Sequence, residues 1–187
     1  IIMKKLYLIL LLISVLGFSQ EKNKIEKMGL YSTTTINLGL DLVQMIADKG
    51  KSDYELQNSP PGKFNYGITS ILGYHLFNRL SLGTGLRYSF VDSNYHLVYL
   101  LAQSKIYLDD PEEEDPLFLN INYGKQINRT AINNATVIGL EIGKMEVLNN
   151  RFGHQFSINL DAQIFEQGTL FVGFSYGITI FSNKYYR

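Results

Sequence analysis

The sequence predicts an all-β chain, an eight-stranded antiparallel up-and-down transmembrane β-barrel. Three observations predict it. From Thr33 onward apolar residues recur with period two, and helical spacing is absent. One face of each run is a nearly unbroken band of Leu, Ile, Val, Phe and Tyr, while the other holds Gly, Ser, Thr, Asn and Asp with few long charged side chains. Nothing in the 187 residues is left over to cover the apolar face with a second layer. A soluble barrel turns its large apolar residues inward and its lysines and glutamates outward. Lipid accounts for both faces here. It hides an apolar exterior, and closure removes the sheet edges that hydrocarbon cannot satisfy.

Composition closes off other classes. Lys plus Arg and Asp plus Glu number 17 each, so the chain lacks the basic surplus of a nucleic-acid binder. The absence of cysteine excludes disulfides, thiolate zinc sites, cysteine nucleophiles and lipid attachment through an N-terminal cysteine.

The elements follow in order. Met3-Lys4-Lys5, the apolar run Leu6 to Leu16, and the small residues Gly17 and Ser19 have the three parts of a secretory signal peptide, cleaved before Gln20. The apolar run is too short to span a bilayer. Residues 1–19 are therefore set aside as upstream residues plus signal, 20–32 form a flexible lead-in, 33–182 the barrel, and 183–187 a tail. In Thr33 to Ile46, Ile36, Leu38, Leu40 and Leu42 oppose Asn37, Gly39 and Asp41. Phe64 to Leu76 alternates most clearly, and the turn Phe77-Asn78-Arg79 joins it to Leu80 to Phe90 as a hairpin. This pair sets Leu72 and Leu86 outward and Gly73 and Gly85 inward. Tyr95 to Leu108 is apolar on both parities from Leu97 to Ala102, and is read as a strand from its neighbours, with a bulge near Gln103. Leu117 to Ile127, Ala135 to Leu148, His154 to Phe165 and Thr169 to Ser182 complete the set. No helix signal of normal length separates them, so the topology is a meander. Aromatic residues near strand ends, such as Tyr66, Tyr74, Tyr88, Phe156 and Phe165, fit interfacial girdles. Inward glycines such as Gly67, Gly83, Gly139 and Gly173 suit a narrow, crowded lumen.

The stretch from Tyr31 to Phe181 resembles the small eight-stranded outer-membrane β-barrels, such as the OmpA transmembrane domain and OmpX. The hairpin Leu72-Gly73-Tyr74-His75-Leu76-Phe77-Asn78-Arg79-Leu80-Ser81-Leu82-Gly83-Thr84-Gly85-Leu86-Arg87-Tyr88 resembles that of barrel-domain proteins of Bacteroidota, many of them called PorT-like. Barrels of this kind often end on an aromatic residue that the assembly machinery reads. Here Phe181 is followed by Ser182 to Arg187, so any such signal is internal.

Candidate chemistry is sparse. With both termini on the periplasmic side, His75 and His154 fall near one rim and His96 near the other, which excludes a shared three-histidine metal centre. His96 with Ser93 and Asp92 imitates the residue set of outer-membrane lipid A acyltransferases and deacylases, but shows no nucleophile–base spacing. Asp109 to Pro116 reads as a solvated acidic turn, since it lacks the glycine that bends a calcium loop. No phosphate loop, dinucleotide fingerprint or metalloprotease motif occurs, so no cofactor, metal or catalytic residue is expected. The inward charges carry more information. Asp41, Arg87, Glu141 and Asp161 share the lumen parity, and a buried arginine needs carboxylates. They are expected to form a lumen charge network that fills and rigidifies the barrel, or else gates it. Eight strands leave an interior that side chains fill, which excludes a wide porin.

With the resemblance, these readings imply a monomeric, non-enzymatic outer-membrane barrel of a Gram-negative bacterium. It would serve envelope integrity, surface interaction or a larger envelope or secretion complex. Its implied partners are outer-membrane lipids, the barrel assembly machinery during insertion, and an unnamed envelope protein, with no nucleic acid. Two readings stay open beside it: a lipid-modifying barrel enzyme, which would alter lipid A, and a periplasmic lipocalin-like carrier of an apolar ligand, which would need no detergent.

Overall fold

Alternating strands leave unpaired N–H and C=O groups at both edges of a sheet, and in this chain the two edges satisfy each other. A computed structural model describes residues 29–52, 64–77, 79–91, 95–109, 115–130, 133–149, 151–164 and 168–182. Eight strands follow in chain order: β1 (Leu30–Asp41), β2 (Phe64–Phe77), β3 (Leu80–Val91), β4 (Tyr95–Tyr107), β5 (Leu117–Gln126), β6 (Thr136–Asn149), β7 (Phe152–Ile164) and β8 (Thr169–Phe181). Each pairs antiparallel with its neighbours, and β8 pairs back onto β1 to close the barrel. A short helix, α1 (Leu42–Ala47), follows β1. The end at which β1 begins and β8 finishes is called the terminal end, and the other the distal end.

Three sequence expectations shift. The first strand starts at Leu30 and stops at Asp41, where it was expected to run from Thr33 to Ile46. β1 meets β2 last at Leu40–Phe64 and β8 last at Asp41–Phe171, and there the chain leaves the sheet, although β8 itself extends to Thr169. The chain satisfies its backbone locally instead, and the Asp41 carboxylate caps the new helix by accepting from the Gln44 amide at 3.0 Å. No bulge occurs near Gln103, since β3–β4 pairing is unbroken from Leu80–Ile106 to Val91–Tyr95. The irregularities lie between His75 and Phe77 and between Val147 and Asn149, beside the tightest turns. The third shift concerns the lumen, which is not uniformly polar. The signal segment, Asp92, Ser93, Phe165, residues 110–114 and the tail 183–187 lie outside the described residues.

The two faces separate by parity. Outward positions such as Ile36, Leu72, Leu86, Ile142, Ile158 and Phe174 are exposed and apolar. Among the described residues, the outward His96, Lys125, Glu146 and His154 lie toward strand ends, and Lys144, further inside β6, is level with the first residue of β5 and pairs with Asp115 at 2.7 Å. Tyr66 and Tyr74 bracket the outward row of β2, with Ile68, Ser70 and Leu72 between them. At about 3.4 Å per residue and a tilt of about 40°, that interval is roughly 20 Å high. Inward, Gly73 makes room for the Tyr31 ring, which lies across it from the paired position on β1. An aromatic ring over a strand glycine restores packing that the glycine lacks.

Candidate functional site

The interior is stacked in layers. At the terminal end Tyr31, Tyr107, Phe118, Met145, Val147 and Phe181 form a buried apolar cluster. His75 sits against it with its Nδ1 donating to the Gly29 carbonyl at 3.1 Å, which leaves Nε2 to accept from the Tyr107 hydroxyl at 3.2 Å. Lys105 is buried beside the same rings. Its Nζ donates to Gln155 Oε1 at 2.8 Å and lies 4.5 Å from the centre of the Phe118 ring. A cation over aromatic faces recovers part of the solvation it loses on burial.

The middle layer is polar. Glu141 accepts from Asn120 Nδ2 at 2.8 Å and from the Ser157 hydroxyl. Asn159 donates to Ser175 at 2.5 Å, Ser175 to Asn37 at 2.7 Å, and Asn37 to Thr69 at 2.8 Å. Such a chain ties β7, β8, β1 and β2 together through side chains alone. Thr33, Gln103, Asn122, Glu141 and Gln155 are among the residues lining a small cavity, with about 20 Å³ open to the centres of water molecules. That is room for about one water, not for a continuous pore.

The ion pair lies on the distal side of this layer. Arg87 Nη2 donates to Asp161 Oδ2 at 2.6 Å, and both residues are less than a twentieth exposed. Next to it the Tyr99 hydroxyl donates to Gln163 Oε1 at 3.1 Å, Gln163 Nε2 to Ser89 at 3.1 Å, and Ser89 to Asn65 Oδ1 at 2.7 Å. This second chain crosses the lumen through β4, β7, β3 and β2. An apolar cluster that includes Val91, Leu97, Leu101, Val137 and Phe171 stops the distal end.

Of the four inward charges read from the sequence, the structure brings two together. Arg87 and Asp161 pair. Asp41 is buried at the distal rim and caps α1, and Glu141 is held by Asn120 and Ser157, with no ion pair to Arg87 among the described residues. Lys105 and the Tyr99–Gln163–Ser89–Asn65 chain escaped the sequence reading. Their signal was the parity of β4, in which Leu97, Tyr99, Leu101, Gln103, Lys105 and Tyr107 all point inward. The histidines sit apart: His75 inside, His96 outside against Tyr88 at 2.5 Å, and His154 outside against Glu146 at 2.8 Å. Among the described residues no group of three or more His, Cys, Asp or Glu could hold a metal ion.

Gly139 is part of the ion-pair site. It lies opposite Asp161 on the neighbouring strand, and a Cβ added there would overlap the Asp161 carboxylate. Gly139→Ala is expected to push Asp161 off Arg87 and cost about 1–3 kcal/mol, the range for overpacking a filled interior. Urea unfolding of the lipid-reconstituted barrel measures it, and unchanged stability would contradict the placement of Asp161 against Gly139.

No family model matches the chain, and no curated protein matches it. Among solved structures, Neisserial surface protein A (NspA) is similar with a TM-score of 0.52 at 10% identity, over 81% of this chain and 96% of that one. This chain has the fold of the small eight-stranded outer-membrane barrels. The N-terminal β-barrel domain of Pseudomonas aeruginosa OprF is also similar, with a TM-score of 0.48 at 13% identity, over 82% of this chain and 99% of that domain. At such identities the likeness is one of fold and transfers no residue's role. Neither likeness bears on the PorT-like resemblance of the hairpin from Leu72 to Tyr88.

Proposed function

We propose that the protein is a non-enzymatic outer-membrane barrel that spans the bilayer as a solid, side-chain-filled wall element rather than as a channel. The observation that carries this is the exterior: a largely apolar belt around all eight strands, whose outward charged and histidine side chains, among the described residues, lie near strand ends or, for Lys144, level with the first residue of β5. Water cannot cover such a surface cheaply, and a closed barrel leaves hydrocarbon no unpaired backbone to meet. Two apolar clusters and a polar middle layer fill the lumen, so the function resides on the outer surface and the loops. Envelope integrity, surface interaction or service to a larger envelope complex fits that arrangement. The N-terminal segment supports export.

Expression in a Gram-negative host tests this. The expected result is a detergent-dependent product in the outer-membrane fraction, beginning near Gln20, with no steady conductance in planar bilayers and unchanged lipid A. A freely soluble product would overturn the proposal, and altered lipid A would favour the enzyme reading.

A further inference from the structure

The helix α1 is apolar, yet none of the described residues buries it. Leu42, Val43, Met45, Ile46 and Ala47 make up five of its six residues, none is buried, and Ile46 is 73% exposed. A helix apolar on all sides ordinarily lies inside a protein or in hydrocarbon. α1 is not a loose tail. The Asp41 side chain caps it, the Asp48 amide donates to the Gln44 carbonyl at 2.8 Å, and it touches β8. Its position continues the outward rows of the two strands that close the barrel. Leu38 and Leu40 lead to it on β1, and Leu40 is paired with Val172 on β8. Charge begins immediately after it, with Asp48, exposed Lys49, and Lys51 paired to Asp48 at 2.9 Å.

An apolar turn set between an apolar belt and a charged segment has the polarity profile of a membrane surface, from acyl chain to headgroup. We infer that α1 is a membrane-interface anchor, with Leu42, Val43, Met45 and Ile46 inserted among lipid acyl chains at the distal surface beside β1 and β8. Lipid is the occupant because the helix is continuous with the barrel's apolar exterior. The inference rests on that exterior facing lipid, and it adds a one-sided contact that would hold the β1–β8 seam at fixed depth.

The absence of tryptophan makes the test direct. Ile46→Trp and, separately, Leu86→Trp give single fluorophores in the full-length protein, reconstituted into phosphatidylcholine vesicles with or without brominated acyl chains. Leu86 lies on the belt at mid-strand, whereas Ile46 lies on the helix. Both variants are expected to emit at short wavelength and to lose most of their emission in brominated lipid. Quenching of the Leu86→Trp variant, beside an Ile46→Trp variant that emits as in water, overturns the anchor and leaves the barrel reading intact. Short-wavelength but unquenched emission from the Ile46→Trp variant would mean that protein rather than lipid covers the helix, and overturns it as well. An unquenched Leu86→Trp variant removes the lipid-facing exterior itself, and the anchor with it.

Discussion

Arg87→Met is expected to destabilise the folded barrel by about 3–5 kcal/mol, the usual cost of removing one member of a buried ion pair. Arg87 and Asp161 are both buried, and their contact is short at 2.6 Å. Methionine fills much of the arginine volume, so the loss is chiefly that of the charge and its donors. Asp161 then loses its cationic partner in a lumen whose neighbouring space is closed by Gly139 and the Gln163 layer. The control is the double variant Arg87→Met/Asp161→Asn, which removes the unpartnered carboxylate and is expected to cost less than Arg87→Met alone. Urea titrations in lipid vesicles, followed by circular dichroism or by gel mobility, measure both. Equal costs for the single and double variants would show that the pair's charge is not what the stability depends on. Planar-bilayer recording of the single variant separates the two roles open to the network. A rigid plug leaves conductance at zero until the barrel unfolds, whereas a gate opens steps in the folded protein.

The strands were legible in the sequence because each is half-buried with a period of two, and because the outer face has a composition that water does not tolerate. β2 and β3 show this best, from Phe64 through Val91. Legibility failed where periodicity carried no information about pairing. Leu42 continues the outward parity of Leu38 and Leu40, yet pairing with β2 ends at Leu40 and with β8 at Asp41, and the chain turns into α1 although β8 extends to Thr169. In β4 both parities are apolar because one side meets the exterior and the other builds the distal cluster through Leu97, Tyr99 and Leu101. That blurred alternation suggested a bulge and hid Lys105.

The lumen charges were legible as a parity but not as a set of pairs. Which inward groups meet depends on register accumulated around the closed sheet. Arg87 on β3 reaches Asp161 on β7 across the lumen, a relation no local pattern encodes. Glu141 is only two residues further along β6 than Gly139, the residue opposite Asp161, yet its carboxylate is taken up by Asn120, its partner across β5, and by Ser157. Asp41 shares the parity but stands at the rim, where an unpaired backbone amide competes for it. Similar residues in similar strands thus serve as ion-pair partner, polar layer and helix cap, according to height.

Leu86→Arg is expected to cost roughly 2–4 kcal/mol of folding free energy in a bilayer, the range for a cation at mid-depth on a lipid-facing strand. Leu86 is outward and exposed, near the middle of β3, with Ser70 opposite on β2 and Leu100 opposite on β4. Ser70 lies midway between Tyr66 and Tyr74, so Leu86 is placed near the centre of the belt these tyrosines bracket. The same substitution at Leu82 provides the comparison. Leu82 is outward on the same strand but opposite Tyr74, at the edge of the belt, and there the cost is expected to fall to about 0–1 kcal/mol. Neither leucine is buried in protein, so a barrel standing in water would accept both arginines within about 0.5 kcal/mol. The depth dependence therefore measures what lies outside the wall. A steep difference between positions 86 and 82, abolished when the protein is moved from vesicles to a short-chain detergent that thins around the arginine, identifies hydrocarbon. Equal and small costs at the two positions would place water there and return the chain to the soluble barrels.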